Sequence, residues 1–264
     1  CPCQQVRLGR LAFFQQIRVH SHQGGDRQKC DRYPYTGYLH MKIWYEHLFG
    51  KLDKQDVQVV KVWATPETHE HEDALAQGFV QLDYAWQQVR AVRISIPTFI
   101  EKAKKPKTDP DIHIEKITGA EAKAIMPQLE TVYEAYINHH GYTLLDPNPL
   151  TEIGHTDVVW LYKLHGDLIG FSIWSTYGRS LDNWQMAWNY ADFKLQLGKY
   201  SLWHEIHEAS KDYDWFYLGA SYDKSCKWKS SIPGFEWWTG AVWSKDKDAY
   251  NDAIQKDIDF NIKL

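Results

Sequence analysis

Apolar positions in the second half of the chain recur with two periods. Val158-Val159-Trp160-Leu161-Tyr162 and Leu168-Ile169-Gly170-Phe171-Ser172-Ile173-Trp174 are β-rich runs, and His165 and a Gly166-Asp167 pair part them. That pattern predicts a hairpin. From Trp184 to Tyr190 the residues alternate, with Trp184, Met186 and Trp188 on one side and Gln185, Ala187 and Asn189 on the other. This predicts a strand with one buried and one polar face. Leu197, Tyr200, Trp203, Ile206 and Ala209 then fall about one helical turn apart, so an amphipathic helix entered through Gly198 is expected over Leu197 to Ala209. A short strand, Trp215 to Leu218, precedes Gly219, a polar loop with Lys224, Lys227 and Lys229, and the run from Pro233 to Trp238. A strand, a helix and a strand with a functional turn at the strand's end is how open α/β sheets place ligands.

The first half is plainer. Val57 to Trp63 and Val89 to Ile96 read as strands, and Pro66 to Gln77 as a helix closed by Gly78. Lys102 to Pro110 reads as a linker and Ile112 to Ile114 as a short strand. Ala120 to His139 reads as a helix that Pro127 breaks or restarts. The expected organisation is a poorly defined N-terminus over 1–28, an α/β region over 29–100, a linker over 101–110 and a larger domain over 111–264.

At 264 residues, with 44% hydrophobic and 15% aromatic side chains, the chain can bury a sizeable core. It has no apolar run of bilayer-spanning length and no signal-peptide pattern, so no membrane association and a cytoplasmic location are expected. It opens Cys1-Pro2-Cys3 with no methionine, which points to a processed or truncated start. Four cysteines match neither a disulfide framework nor a zinc-knuckle pair, which fits a reducing compartment. Cys1, Cys3 and Cys30 beside His20 and His22 are either isolated thiols or a metal or cluster site; the expectation is no metal. A net charge of −4 excludes polyanion binding by bulk charge and leaves only local contacts. The best local candidate is Lys102, Lys104, Lys105 and Lys107, whose other reading is a solvated loop.

Tyr217-Leu218-Gly219, then Lys229, Ile232, Gly234 and Glu236, then Trp243, resemble the C-terminal signature of aminoacyl-tRNA–protein transferases, the arginyl- and leucyl-transferring enzymes. Leu197-Gly198-Lys199-Tyr200 resembles their LGTY helix entry, Asp192 falls at their YDP aspartate, and Gln77-Gly78-Phe79 and Gln88 to Ile94 resemble their GFR and CxxVRI segments. The match covers about residues 75 to 243. Trp86, Gln87 and Gln88 replace the cysteines before VRI, the lysine run replaces an arginine-rich stretch, and Ala191-Asp192-Phe193 stands for YDP. The resemblance implies an α+β, GNAT-like mixed sheet flanked by helices, with a smaller N-terminal α/β region. It also implies a cytoplasmic monomer that needs no cofactor and moves an amino acid from charged tRNA to the N-terminal amine of a protein or peptide, as in protein arginylation and N-degron chemistry. The alternatives are a CoA-dependent N-acyltransferase of the same fold, which would use acetyl-CoA, and a non-catalytic relative that binds peptides or tRNA.

Aminoacyl transfer requires positioning of a ready-made ester, removal of a proton from an amine and stabilisation of an oxyanion. Asp192 is the first candidate for the proton, or else a turn cap. Gln185 and Asn189 could line the same cleft, or be edge-strand residues. Tyr190 and Tyr200 could donate to the oxyanion, or pack as core. Glu205 reads as solvent-facing, with a second role as alternative carboxylate. Gly198, Tyr200, Lys227 and Lys229 are the donor-binding candidates; Tyr200 stands where a pyrophosphate-binding turn carries a small residue, which disfavours CoA. Asn189, Tyr222, Glu236 and Trp238 are the pocket candidates, with Trp237 and Trp243 as further wall residues or core.

Overall fold

The computed structural model describes residues 41–52, 55–82, 85–142, 148–190 and 193–262. Asp192, the cysteines at 1, 3 and 30, and the N-terminal region over 1–28 lie outside the described residues.

In chain order the elements are β1 (Lys42–Leu52), β2 (Gln55–Thr65), α1 (His71–Ala76), β3 (Phe79–Leu82), β4 (Ala85–Gln88), β5 (Ala91–Ser95), α2 (Ile96–Lys102), β6 (Ile112–Thr118), α3 (Gly119–Ala122), α4 (Met126–His140), β7 (Val158–Leu164), β8 (Asp167–Tyr177), β9 (Ser180–Trp188), α5 (Leu197–Ala209), β10 (Trp215–Ala220), β11 (Phe235–Trp238), β12 (Trp243–Ser244) and α6 (Lys247–Ile262). They build a four-stranded sheet, β1-β2-β4-β3, and an eight-stranded sheet, β12-β11-β5-β10-β9-β8-β7-β6. The molecule is therefore α+β, with a mixed sheet flanked by helices. Its strand, helix, antiparallel meander, helix, strand order over β6 to β10 is the one the GNAT-like expectation requires.

One face of the large sheet, through Trp160, Tyr162, Trp174, Leu181, Trp188 and Phe216, is covered by Phe99 of α2, Ile206 of α5 and Tyr250 and Ile254 of α6. The other face, through Val159, Leu161, Phe171, Ile173 and Ala187, meets Leu129, Val132, Tyr133 and Ile137 of α4. A side chain on Gly170 would meet Leu197 Cδ2 at 2.6 Å and Trp188 Cβ at 3.0 Å, so this glycine lets α5 approach the sheet.

Three expectations are corrected. The hairpin turn is His165–Gly166, both at positive φ (52° and 94°), and Asp167 already belongs to β8. This is the geometry that matches strand twist. The strand expected over Val89 to Ile96 is shorter: only β5 (Ala91–Ser95) is strand, and Val89 and Arg90 join it to β4, which lies in the other sheet. The Ala91 amide turns back to the Val89 carbonyl (2.8 Å) and the Val89 amide goes to Gly78, so the chain leaves β4 and enters the large sheet as β5. The large sheet thus takes a strand from the 29–100 region, and Ile96 begins α2 with Pro97 in its first turn. In β9, a bulge opposite Ile173 and Trp174 breaks the predicted alternation. Trp184 and Ala187 face α4, whereas Met186 and Trp188 face α5.

Candidate functional site

β9 and β10 are the one parallel pair among the described strands. They are in register only at Ser180 with Trp215, Leu181 with Phe216 and Asp182 with Tyr217. Past Asp182, β9 runs on to Trp188 and β10 to Ala220 without pairing, so the sheet opens towards its edge. Parallel strands that part at their carboxyl ends leave a crevice, which is where ligands enter such sheets. The first turn of α5 sits at this mouth. Gln196 caps it in a left-handed conformation (φ 47°) and accepts from the amides of Lys199 (3.0 Å) and Tyr200 (3.1 Å).

The floor of the opening is a buried carboxylate. Glu205, 0% exposed, accepts from Tyr162 Oη (2.6 Å), Trp174 Nε1 (2.6 Å), Ser172 Oγ (2.8 Å) and Asn183 Nδ2 (3.0 Å). Asn183 is the first β9 residue beyond the last pair with β10. The expectation of a solvent-facing Glu205 is corrected. Seven residues separate it from Gly198, which is two helical turns, so it points the same way as the helix entry and under the sheet. Burial raises its pKa to about 7 despite the donors from Tyr162, Trp174, Ser172 and Asn183, which act the other way.

The wall on the β9 side is aromatic. Tyr190 stacks on His139 (centroids 3.7 Å apart, 2° between planes), and its hydroxyl lies 2.9 Å from His140 Nε2. His140 stacks on Tyr142 at 5.0 Å, and Tyr136 packs on His140 at 4.7 Å. The Trp188 ring packs on Tyr190 (centroids 4.1 Å apart), and its Nε1 would lie 3.8 Å from a side chain placed on Gly198. This cluster is therefore against the first turn of α5. Sequence reasoning missed His139, His140, Tyr136 and Tyr142. The consecutive histidines at a helix end were visible, but their partner lies 50 residues away.

On the β10 side, Gly219 (φ 63°) and a register shift against β5 turn carbonyls away from the ladder. The Lys229 ammonium satisfies them, donating to Leu218 O (2.8 Å), Ala220 O (2.9 Å) and Ser221 Oγ (3.2 Å). Burial lowers the Lys229 pKa. Beyond it, a cavity of about 320 Å³ is lined by Gln88, Arg90, Tyr222, Trp237, Trp238 and Ala253, among others. The Tyr222 hydroxyl accepts from the Arg90 amide (3.2 Å), and burial pushes its pKa up to about 12. Asp223, next in the chain to Tyr222, favours the charged form of His140 on the aromatic wall.

No family model and no curated protein matches the chain. Solved structures that are similar include the C-terminal domain of a protein described as a lysylphosphatidylglycerol synthetase from Agrobacterium fabrum. The identity there is 13%, over 50% of this chain and 46% of that one, with a TM-score of 0.40. L-PGS from Bacillus licheniformis is 11% identical over 68% of each chain, with a TM-score of 0.38. The chain thus spans less than half the length of the first structure.

Of the sequence candidates, Tyr190 and Gly198 both lie against Trp188, and Tyr222 and Trp238 both line the cavity. Asp192 lies outside the described residues. Gln185 shares a side of β9 with Ala187, towards α4, and donates to the Met186 carbonyl next to it (3.1 Å). The Asn189 backbone N–H donates to Ile169 O (2.9 Å), and Tyr200 packs against the core under α5. Lys227 donates to Gln255 of α6 in an exposed contact, whereas Lys229 is buried and stands on no open phosphate path. Glu236 holds the Arg93 guanidinium (2.7 and 2.9 Å), which lies over the Trp215 and Trp243 rings, away from the cavity. Among the described residues no helix is long and apolar enough to cross a membrane.

Proposed function

We propose that this chain is an aminoacyl-tRNA-dependent aminoacyltransferase whose donor ester enters between β9 and β10. The observation that carries the reading is where the lysine run lies. After α2 ends at Lys102, the chain follows α5. Lys105 Nζ stands 5.3 Å over the Trp203 ring, and Thr108 donates to Leu195 O (3.3 Å), just ahead of the first turn of α5. Lys102, Lys104, Lys105, Lys107 and Lys199 are exposed. A cationic track that ends at the mouth suits a donor with many phosphates beyond its ester more than one with a single pyrophosphate. The first turn of α5 agrees with this, because the Lys199 amide that a pyrophosphate would use is taken by Gln196.

The protein's part in the reaction is to hold ester and acceptor together and take up protons; the ester is already activated. The acceptor we propose is the N-terminal amine of a protein or peptide, seated in the cavity of Tyr222 and Trp238 just past the end of β10. Asp192, on the segment that leaves Tyr190, is the carboxylate proposed to orient the ammonium. The test is incubation of the protein with bulk charged tRNA and peptides that differ in their first residue, followed by mass analysis. The name lysylphosphatidylglycerol synthetase describes a lipid acceptor, so phosphatidylglycerol vesicles form a parallel arm. A peptide gaining one aminoacyl mass, with the gain abolished by RNase treatment, is expected. Aminoacylated lipid alone would replace the acceptor, and transfer from acetyl-CoA but not from tRNA would replace the donor.

A further inference from the structure

Resting on that reading, we propose that His140 is the proton acceptor of the mouth, acting through the hydroxyl of Tyr190. The relay runs through one contact, in which the Tyr190 hydroxyl lies 2.9 Å from His140 Nε2, in reach to donate its hydrogen to that nitrogen. Such a bond requires the neutral imidazole with its hydrogen on Nδ1. Every group facing the ring agrees with a neutral form except one. Tyr136 and His139 of α4, Tyr142 after it and Tyr190 just past β9 enclose the ring, and His139 opposes its charging; only Asp223, from the β10 side, favours the cation. Burial and His139 win, and the His140 pKa falls below its ordinary value.

In the reaction, the acceptor ammonium gives a proton to the Tyr190 oxygen while the Tyr190 hydrogen passes to His140. The freed amine attacks the ester carbonyl, the C–N bond forms and the bond to the ribose oxygen breaks. The imidazolium returns its proton through Tyr190 to the ribose oxygen, and the second proton of the attacking nitrogen leaves to solvent. Only Tyr190 meets the substrate; His140 is a positioning and proton-holding residue behind it.

The test uses the full chain with charged tRNA and its best acceptor. Wild-type kcat is expected to fall as the pH drops through the His140 pKa, since only the neutral ring accepts a proton. His140→Gln, which keeps a hydrogen bond to Tyr190 but cannot titrate, is expected to lose roughly 10²-fold in kcat. It should also lose that acidic limb, with KM for tRNA unchanged. His140→Ala is expected to regain activity with added imidazole. A separate readout needs no turnover. In Tyr190→Phe the donor to Nε2 is gone, so the His140 ring resonances should titrate at higher pH than in the wild type. A His140→Gln enzyme with intact kcat and acidic limb, or a His140 titration unmoved in Tyr190→Phe, overturns the relay. Wild-type protein silent with every charged tRNA removes the transfer reading itself, and this role for His140 with it.

Discussion

Glu205 sets two opposed effects against each other within one side chain. Hydrogen bonds from Tyr162, Trp174, Ser172 and Asn183 favour the carboxylate, and complete removal from water favours the acid; burial wins, with a pKa of about 7. The consequence for stability has a definite sign. A group whose pKa is higher folded than unfolded stabilises the fold below its unfolded value, here 4.5, and that contribution is lost as pH rises through about 7. The span corresponds to about 3 kcal/mol at most, from about 1.4 kcal/mol per pH unit. Glu205→Gln has nearly the same shape and cannot ionise. Between pH 5 and 8 the wild type should therefore lose about 2.5 kcal/mol more than Glu205→Gln in urea unfolding. Parallel curves would mean that the surrounding donors hold the carboxylate ionised throughout. Lys229 differs from Glu205 in its partners: its charge faces backbone carbonyls and one hydroxyl, so it fastens the end of β10 and reaches no substrate.

Elements written by local periodicity are legible in the sequence, and those written by distant partners are not. α5, β7, β8 and β10 follow from spacing alone, and Pro127 does restart the helix, at the first turn of α4. The crossing of the chain from β4 to β5 is hidden because Val89 and Arg90 look like strand residues; the Val89 bond to Gly78 prolongs the β3–β4 ladder, and the turn of the Ala91 amide back to Val89 O takes the chain out of the first sheet. Likewise the floor under Glu205 comes from three strands that no helical pattern can reveal. Tyr190, Tyr222 and Trp238 are within reach because the motifs around them are short and local. Gly78 ties these levels together. It ends α1 at φ +75°, and a side chain there would come within 2.3 Å of Trp238 Cγ, in the wall of the cavity. Gly78→Ala should lower stability by roughly 2–5 kcal/mol, the sum of a left-handed alanine and an overpacked wall. A denaturation midpoint paired with near-ultraviolet circular dichroism of the tryptophans would read both; an unchanged midpoint would show that the indole yields freely.

Across the whole molecule, charge is placed against its own average. The chain is net −4, yet lysines at 102, 104, 105, 107 and 199 share the path along α5 to the mouth. Lys199 occupies the first turn of α5, where the helix dipole disfavours a cation. Its position there works against the helix, and a bound phosphate would offset that effect. A weakly acidic protein that holds tRNA by such a track should show an affinity that depends on few lysines and responds strongly to each. Replacing Lys102, Lys104 and Lys107 with alanine removes three side chains that are exposed, so folding stability should change by less than about 0.5 kcal/mol. The slope of log affinity against log salt for charged tRNA should become shallower by about 2 to 3, close to one for each lysine–phosphate pair removed. Transfer at saturating tRNA should keep its kcat, since none of these lysines is at the reacting atoms. A variant that binds tRNA with the wild-type salt slope would separate the lysine track from the donor, and the case for tRNA over a smaller ester would lose its main structural support.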